Sequence, residues 1–321
     1  MLCFNKMIEP WYIRETLNYR KERYMDHLSE TDLYIRAKDI LINCIEINKD
    51  GKFAADLSDD YGQFFWVRWT HIIEEYRIRY GSFRPMFDKQ NVDGLCIPKN
   101  FTLINKANLK INQVDKNSKP NLYKYGKLEY LKQYLKNGNI RISPASSYKD
   151  PSLNHAINDD ELNFISQNHP SKLKMEVFDK FGNFKGLVKP LEGKLTFTST
   201  TDYYVFCMST ILSPRLFVDF DNADGCLIIK NTTVFLKKLL EGFLKSNNNY
   251  LGQIGVVKYV DPIFANYKEY DQFYSKHFRY AYQRELRVSF IPGKDIKQLE
   301  YKVLQLGNLE DCCELIEIDE T

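Results

Sequence analysis

The sequence lacks the patterns that most directly identify a metal or nucleotide site. Its seven cysteines include no C-x-x-C pair, and none of the five histidines lies at metal-ligand spacing from a cysteine. Neither a P-loop nor a Rossmann glycine fingerprint occurs, and the chain contains no internal repeat. We therefore predict no metal site, no disulfide framework and no doubly wound parallel sheet.

Long apolar segments are also absent. No apolar run approaches the ~20 residues that a membrane-spanning helix needs. Residues 1–21 carry charges every few positions and lack the apolar stretch of a signal peptide. An odd number of cysteines without a framework is typical of a reducing compartment. These features predict a cytoplasmic protein with no membrane partner.

The overall composition is that of an ordinary globular protein and leaves the partner open. The 321 residues are 44% apolar and 27% charged, and the net charge of +3 is too small to indicate nucleic-acid binding. The 22 tyrosines and 21 phenylalanines are unusual. Such residues can line polar pockets or stack on bases, but filling a core is their more common use.

The order of predicted elements divides the chain into two domains. Residues 1–115 form a helix-rich region, with helices over about 9–47 and 63–79, and the polar stretch 111–121 reads as a linker. Residues 121–321 mix strands and helices without strict alternation, which indicates an α+β fold. Helices are predicted at 127–138 and 232–245. Strands are predicted at 122–125, 140–143, 194–200, 203–208, 226–229, 254–260, 285–290 and near 301–306.

Two other segments are open to more than one interpretation. The polar stretch 148–170 reads as a long ordered loop or a lid. Residues 77–84 interleave basic and aromatic side chains, which suits phosphates and bases but also suits a helix end that gathers cations. The tail from Glu310 onward is acidic, and its vicinal Cys312 and Cys313 look exposed.

The run 277–290 near the C-terminus carries the strongest functional signal. Gln283 and Glu285 are two residues apart, so on a strand both side chains lie on one face. The opposite face is apolar and predicts core (Leu286, Val288 and Phe290). Glu285 either pairs with Arg287 or Arg279 on a solvated face, or lies at a strand edge that opens onto a pocket.

Three segments follow a recognisable order along the chain. The first is residues 122–151, with Lys-Tyr on a strand, a helix, a glycine turn, a short strand and a Lys149-Asp150-Pro151 turn. The second is the strand Val205–Ser209, and the third is the Glu285-Leu286-Arg287 strand. Together they resemble a family of uncharacterised bacterial proteins, some linked to abortive phage infection and called AbiGi-like, in which the second segment is similar to the central Cys-Phe-Ser strand. The resemblance spans roughly residues 121–291, and Lys149 stands where the family commonly has Asn.

The same opening is similar to the first half of the ADP-ribosyltransferase fold, and Gln283-Arg284-Glu285 has the Gln-x-Glu form of one branch. Thr198-Ser199-Thr200 and Ser209-Thr210 are both candidates for that branch's Ser-Thr-Ser motif. Lys124 and Tyr125 stand where those enzymes place Arg or His. The resemblance implies a split antiparallel sheet of ADP-ribosyltransferase type, a helix-rich N-terminal extension and NAD as substrate.

This resemblance assigns roles to individual residues. Glu285 would bond the ribose 2′-hydroxyl and stabilise an oxocarbenium-like transition state, and Gln283 would orient the acceptor. Either Lys124 or Arg141 would pair with the pyrophosphate. Either Tyr125 or Tyr148 would stack on the nicotinamide. The remaining predicted NAD-binding residues are Ser143, Ser209 and Arg287.

Each candidate also has a structural interpretation. Lys124 suits an exposed strand lysine, and Arg141 suits an ion pair with Asp150 or Glu161. Ser209 and Tyr125 suit core positions, and Cys207 suits an inert buried thiol.

Three functions follow as hypotheses. The first is an NAD-dependent ADP-ribosyltransferase, a toxin or effector of anti-phage defence that modifies nucleic acid or protein. Residues 1–115 would bind the acceptor, a cognate antitoxin or a regulator. The second is a catalytically inactive transferase-like module that binds or senses, as an antitoxin does. The third is a metal-dependent nuclease that uses four acidic residues, Asp150, Asp159, Asp160 and Glu161.

Overall fold

The computed structural model describes residues 10–48, 50–55, 60–82, 98–114, 121–266 and 268–318. Within these ranges the helices are α1 (Trp11–Glu22), α2 (Glu30–Cys44), α3 (Asp60–Tyr80), α4 (Phe101–Ile111), α5 (Leu128–Asn137), α6 (Pro214–Asp219) and α7 (Thr232–Leu244). The strands are β1 (Ile45–Ile47), β2 (Phe53–Ala55), β3 (Leu122–Gly126), β4 (Asn139–Pro144), β5 (Asn163–Gln167), β6 (Met175–Phe178), β7 (Phe184–Val188), β8 (Lys194–Thr198), β9 (Tyr204–Ser209), β10 (Gly225–Ile229), β11 (Tyr250–Val256), β12 (Lys258–Val260), β13 (Ser275–His277), β14 (Glu285–Pro292), β15 (Lys302–Gln305) and β16 (Cys313–Glu317). None of the described helices has the length and apolar character required to cross a bilayer.

The chain folds into two compact units that are not contiguous in sequence. Unit 1 contains residues 1–46, 55–97 and 167–194, and unit 2 contains residues 47–54, 98–166 and 195–321. The predicted boundary between 1–115 and 121–321 falls among residues 115–120, outside the described residues. Helix α4 belongs to unit 2 because its apolar face, including Ala107 and Ile111, packs in a core with Leu216 and Phe217.

Unit 1 is built on helices α1, α2 and α3, as the helical periodicity of its sequence predicts. Helix α2 begins where Ser29 accepts a hydrogen bond from the backbone amide of Asp32 at 3.0 Å. The buried carboxylate of Glu75 accepts hydrogen bonds from the Tyr19 hydroxyl at 2.5 Å and from Arg23 at 3.0 and 3.1 Å. This polar cluster therefore joins α1 to α3.

The basic end of α3 is used for structure in the part that is described. Arg77 lies 3.4 Å from Glu74, and Arg79 lies 2.5 Å from Glu75. Arg79 also donates to the backbone carbonyl of Leu28 at 2.8 Å. The last two residues of the predicted basic and aromatic run, 83 and 84, lie outside the described residues. Unit 1 also contains the β6–β7 hairpin, which the sequence did not predict.

The main sheet of unit 2 is antiparallel, which confirms the predicted α+β class. Its strand order is β11-β14-β9-β3-β10-β16, with β4 pairing to both β9 and β15. The predicted strand 254–260 is interrupted at Val257, and its second part, β12, pairs in parallel with β13.

Both faces of the central strands are buried. On one face, β9 and β14 pack against α7 through aromatic residues such as Phe206, Phe243 and Phe290. Phe243 and Phe290 stack with ring centroids 3.8 Å apart.

Beyond β10, strand β16 extends the sheet. Cys312 and Cys313 are buried at its start, which corrects the expectation that these thiols are exposed.

Strand β9 is shared between two diverging strands. Its C-terminal end pairs with β3 at Ser209, and its N-terminal end pairs with β4 at Val205 and Tyr204. Between these contacts, the Lys124 ammonium donates to the Cys207 carbonyl at 2.9 Å. The sheet thus opens along β9, next to the start of β14.

Candidate active site

A cavity of about 310 Å³ lies in unit 2 beside this opening. It is bordered by the ends of β3, β9 and β14 and by the segment 148–161 that precedes β5. Ionisable and polar side chains on its wall include Lys124, Tyr148, Ser209, Lys276, Gln283 and Glu285. The segment predicted as a loop or lid therefore forms one wall of this cavity.

The strand predicted at 285–290 begins at Glu285 as expected, but Gln283 does not lie on it. Residues Phe278–Gln283 form a 3-10 turn, and Arg284 has φ 47° and ψ 57° in the left-handed region, so the strand begins only at Glu285. The Arg284 carbonyl accepts from the Thr210 amide at 2.8 Å and its hydroxyl at 3.1 Å, which holds the turn against β9. Gln283 and Glu285 line the cavity from either side of this turn, not from one strand face.

Glu285 is ion-paired, but its face of β14 is not solvated. Arg287 is 0% exposed, and its Nε donates to Glu285 Oε1 at 2.7 Å. The two terminal nitrogens of Arg287 each donate to one oxygen of Glu161 at 2.8 Å. This bidentate pair joins β14 to the cavity wall across 126 residues of sequence.

Lys276 supplies a second buried cation to the same cluster. Its ammonium lies 3.2 Å from Glu285, 3.5 Å from Glu161 and 3.6 Å from Asp159. It also lies 4.5 Å from the centre of the Tyr280 ring, a cation–π distance. We call Asp159, Glu161, Lys276, Glu285 and Arg287 the buried charge cluster.

The charge cluster sets the ionisation of its acids. Burial works against the charged form of Glu285, but the nearby charges of Arg287 and Lys276 hold its pKa well below the ordinary value. In contrast, burial and the neighbouring Glu161 raise the pKa of Asp159 to about 7. Glu285 is therefore an anion at neutral pH, while Asp159 titrates close to neutrality.

Lys124 differs from the two cations of the cluster. Its ammonium bonds the Cys207 carbonyl and lies 4.9 Å from the Phe206 ring centre, and among the described residues no carboxylate pairs with it. Burial lowers its pKa from the ordinary value because the charged form is poorly solvated. Glu285 acts on Lys124 only through space, so an anionic group placed in the cavity would give Lys124 a directly bonded counter-charge.

Ser209 and Gln283 both lie at the cavity and hold its walls together. The Ser209 hydroxyl donates to the Gln283 carbonyl at 2.7 Å and accepts from the Ile211 amide at 3.1 Å. The Gln283 amide nitrogen donates to the Ala156 carbonyl at 2.7 Å. Of the two candidate serine motifs, only the one that begins at Ser209 contributes to the cavity wall.

The two candidate stacking tyrosines both reach the cavity. The Tyr125 hydroxyl donates to the Ile211 carbonyl at 3.0 Å and accepts from the Ser213 amide at 2.9 Å, so its ring is held in place. Tyr148 lies on the wall formed by the segment 148–161, and burial raises the pKa of its hydroxyl. Both phenols are therefore neutral under ordinary conditions.

Three of the predicted NAD-binding residues do not line the cavity. Arg141 is exposed on β4, where its guanidinium lies 4.5 Å from the centre of the Tyr301 ring. Ser143 pairs with Val205 in the sheet, and Arg287 lies behind Glu285. The alternation of side chains along β4 and β14 could not predict which residues line the cavity, because that depends on where the sheet opens.

The structure adds residues that the sequence did not suggest for this site. Lys276 had no predicted role, and Glu161 appeared only in the nuclease hypothesis. No spacing rule connects either residue to Glu285. Lys276 lies on β13, before the turn that leads to β14, and Glu161 lies on a distant segment. Cys207 also lines the cavity, but burial and the nearby Glu285 raise its pKa to about 12, so it stays a protonated thiol.

The four acids of the nuclease hypothesis are used separately. Asp150 accepts from the Ser152 amide at 2.9 Å, and Asp160 pairs with Lys149 at 2.8 Å. The other two belong to the buried charge cluster, where Lys276 and Arg287 neutralise them. Among the described residues, these acids do not form a group within ligand distance of one ion.

Comparison with known proteins finds no match to this chain among family models, curated proteins or solved structures. The chemistry of the cavity is therefore inferred from its own side chains. It combines an ionised carboxylate, a lysine without a carboxylate partner, two neutral tyrosines and a protonated thiol. Such a set can hold an anionic ligand and stabilise positive charge that develops next to Glu285.

Proposed function

We propose that the cavity binds NAD and that the protein is an ADP-ribosyltransferase. The observation that carries this proposal is Glu285, a carboxylate at the cavity wall that Arg287 and Lys276 keep ionised. Transfer breaks the bond between nicotinamide and ribose, and nicotinamide leaves with the bonding electrons. The acceptor bonds to C1′ of the ribose and gives up its proton. Positive charge grows on the ribose before that new bond forms.

Glu285 is suited to this transition state. As an anion it accepts a hydrogen bond from the ribose 2′-hydroxyl, and that bond strengthens while the sugar becomes cationic. Arg287 and Lys276 approach Glu285 through different oxygens, at 2.7 and 3.2 Å. Each carboxylate oxygen has two lone pairs, so a further hydrogen bond can form on the cavity side.

Lys124 and the tyrosines supply the binding contacts for NAD. A lysine without a carboxylate partner suits the pyrophosphate, and this favours Lys124 over Arg141 of the two predicted alternatives. A cavity of about 310 Å³ is at the lower end for a small-molecule site. We therefore place the nicotinamide ribose inside it, against Tyr125 or Tyr148, with the pyrophosphate at Lys124.

The arrangement of strands supports the same proposal. The resemblance assigns functional residues to the first strand, a central strand and the last conserved strand. These correspond to β3, β9 and β14, which are neighbours in one sheet, with Ser209 opposite both Tyr123 and Glu285. Residues far apart in the sequence thus border one cavity.

The biological role rests on the resemblance to AbiGi-like proteins. We propose a cytoplasmic toxin or effector of anti-phage defence that transfers ADP-ribose to nucleic acid or protein. A cognate antitoxin or regulator would control it, and the N-terminal helices would contact that partner or the acceptor.

The test is nicotinamide release from NAD by the purified full chain, with nucleic acid and protein offered as acceptors. We expect Glu285→Gln to slow release by about 10²–10³-fold, the usual effect of removing one preorganised transition-state contact. Glu241→Gln is the matched control, because it makes the same chemical change on an exposed part of α7. Absence of both NAD binding and nicotinamide release in the wild type would refute the proposal.

One observation favours a second candidate, a binding module without activity. Both oxygens of Glu285 already have cationic partners, which is also how a purely structural carboxylate would be held. This alternative predicts NAD binding that Lys124→Met weakens, together with no nicotinamide release under any condition. Calorimetric titration with NAD, combined with the release assay, separates the two candidates.

A further inference from the structure

Unit 1 contains a cluster of possible metal ligands that the sequence does not reveal. The turn between α1 and α2 presents Asp26 and His27, and His169 lies beside them although it is 143 residues from Asp26. The rings of His27 and His169 have centroids 4.8 Å apart. One ligand atom from each of the three residues lies within 4.8 Å of the other two.

The tautomer of His27 is determined by its surroundings. Its Nε2 lies 3.0 Å from the Gln167 carbonyl oxygen, and because a carbonyl can only accept, Nε2 carries the proton. The lone pair is therefore on Nδ1. That nitrogen is buried and no group in the described part of the chain reaches it with hydrogen-bond geometry, although the Tyr24 backbone lies close to the ring. A histidine that donates one ring N–H to a backbone carbonyl and offers the other nitrogen is the usual arrangement of a metal ligand.

His169 and Asp26 complete the group. His169 Nε2 lies 2.8 Å from Asp26 Oδ1, and its Nδ1 lies 2.6 Å from the Ser171 hydroxyl and 3.1 Å from the Ser171 amide. A metal ion bound at Nε2 displaces the proton shared with Asp26. The proton that the ring then keeps is on Nδ1, so the hydrogen bond that the Ser171 amide donates to Nδ1 must open, and the Ser171 hydroxyl accepts the Nδ1 proton instead.

We propose that Asp26, His27 and His169 form a Zn²⁺ site with three protein ligands and an open fourth position. Two nitrogens and one carboxylate oxygen are ligands that zinc binds, and the ligand atoms, all within 4.8 Å of one another, need to move together by only about 1 Å to reach the roughly 3.3 Å spacing of a tetrahedral site. The side chains of Asp26 and His169 are 42% and 22% exposed, so an ion and a water molecule can enter from solvent. The ion would tie the α1–α2 turn to the segment that precedes the β6–β7 hairpin, within unit 1.

The test uses the full chain after removal of metal with a chelator. We expect one Zn²⁺ per chain in a competition titration against a chromophoric chelator, and the visible absorption of tetrahedral Co²⁺ when Co²⁺ is the probe. His169→Ala and Asp26→Asn should each weaken zinc binding at least about tenfold, since loss of even an outer-shell partner costs about 10–100-fold. His155→Ala is the matched control, because His155 is an exposed histidine in unit 2, and it should leave zinc binding unchanged.

Folding and binding are separated by measuring the circular dichroism of each variant without metal. Asp26→Asn keeps the size of the side chain and serves where His169→Ala fails to fold. Two results would overturn the proposal: no binding of either metal by the folded wild type, or binding that is equally strong in folded His169→Ala and Asp26→Asn.

Discussion

Substitution of Arg287 by methionine tests the buried charge cluster most directly. Arg287 is 0% exposed and donates to Glu285 at 2.7 Å, to both oxygens of Glu161 at 2.8 Å and to the Phe273 carbonyl at 3.0 Å. Methionine retains much of the volume but none of these donors. Lys276 would then face three acids alone.

The expected loss follows from the burial of the acids that remain. Removing one partner of a buried ion pair costs about 3–5 kcal/mol, because the other charge stays buried without compensation. Arg287 neutralises two carboxylates, so we expect the free energy of unfolding of unit 2 to fall by about 4 kcal/mol or more at neutral pH. Arg287→Met combined with Glu161→Gln should recover part of this loss, since it removes one of the two uncompensated charges.

The same reasoning predicts how the loss depends on pH. In the wild type the folded pKa of Glu285 is depressed, so its stabilisation is present above its unfolded pKa and is lost as the pH falls through the folded value. Without Arg287 the largest lowering effect is lost while burial still opposes the charged form, so the folded pKa of Glu285 should rise from its wild-type position. The destabilisation of the variant should therefore be largest at neutral and alkaline pH and smaller near about pH 5.

The measurement is hydrogen–deuterium exchange of peptides from β9 and β14, with the denaturant dependence of their exchange. This readout reports on unit 2, whereas a global transition of a chain with two compact units does not define one free energy. Glu241→Gln serves as the control for a charge change on the surface of the same unit. A change of less than about 1 kcal/mol in Arg287→Met would refute the idea that this cluster organises the site.

The other predictions concern single positions. Lys124→Met should raise the KM for NAD at least about tenfold with a smaller change in kcat, because it removes a charged contact that is already made in the ground state. Arg141→Gln is the control and should leave the KM unchanged. If steady-state assays show equal effects of the two substitutions, Lys124 is not the phosphate contact. The raised pKa of Asp159, about 7, means that the folded state binds this proton more tightly than the unfolded state, so the contribution of Asp159 to the stability of unit 2 should fall as the pH rises from about 4 to 7. Asp159→Asn should remove that contribution from the pH dependence of hydrogen–deuterium exchange in β9 and β14, and an unchanged pH dependence would contradict the assignment. Iodoacetamide at about pH 8 should leave Cys207 unmodified in the folded protein, because burial raises the pKa of its thiol to about 12. Peptide mass mapping measures the modification. Rapid alkylation of Cys207 would contradict its burial.

Much of the fold could be predicted because local patterns carry it. The apolar periodicity of residues 232–245 predicts a helix, and α7 spans Thr232–Leu244 with its Asn231 cap bonded to the Val234 amide at 3.2 Å. The short strand predicted at 140–143 lies within β4. Where the pattern was too short, prediction failed: α6 has six residues, fewer than the window in which helical periodicity shows.

The β6–β7 hairpin was missed for a different reason. Its strands show no alternation between buried and exposed side chains, and Phe178 and Phe184 are both exposed. The alternation that marks a half-buried strand is therefore missing. The hairpin also belongs to unit 1, although residues 167–194 lie within the range predicted for the C-terminal domain. A local pattern cannot show to which unit a segment of the chain returns.

The sequence by itself determined the α+β character of the larger part, most strand positions and the choice of Glu285 as the residue to test. Local rules suffice for these features, because side-chain periodicity and short motifs act within a few residues. Only the tertiary structure decided what surrounds Glu285. It placed Glu161 against Arg287 across 126 residues, and Lys124 rather than Arg141 at the cavity. Ion pairs and cavities form between segments that the chain path brings together, so no local pattern encodes their geometry.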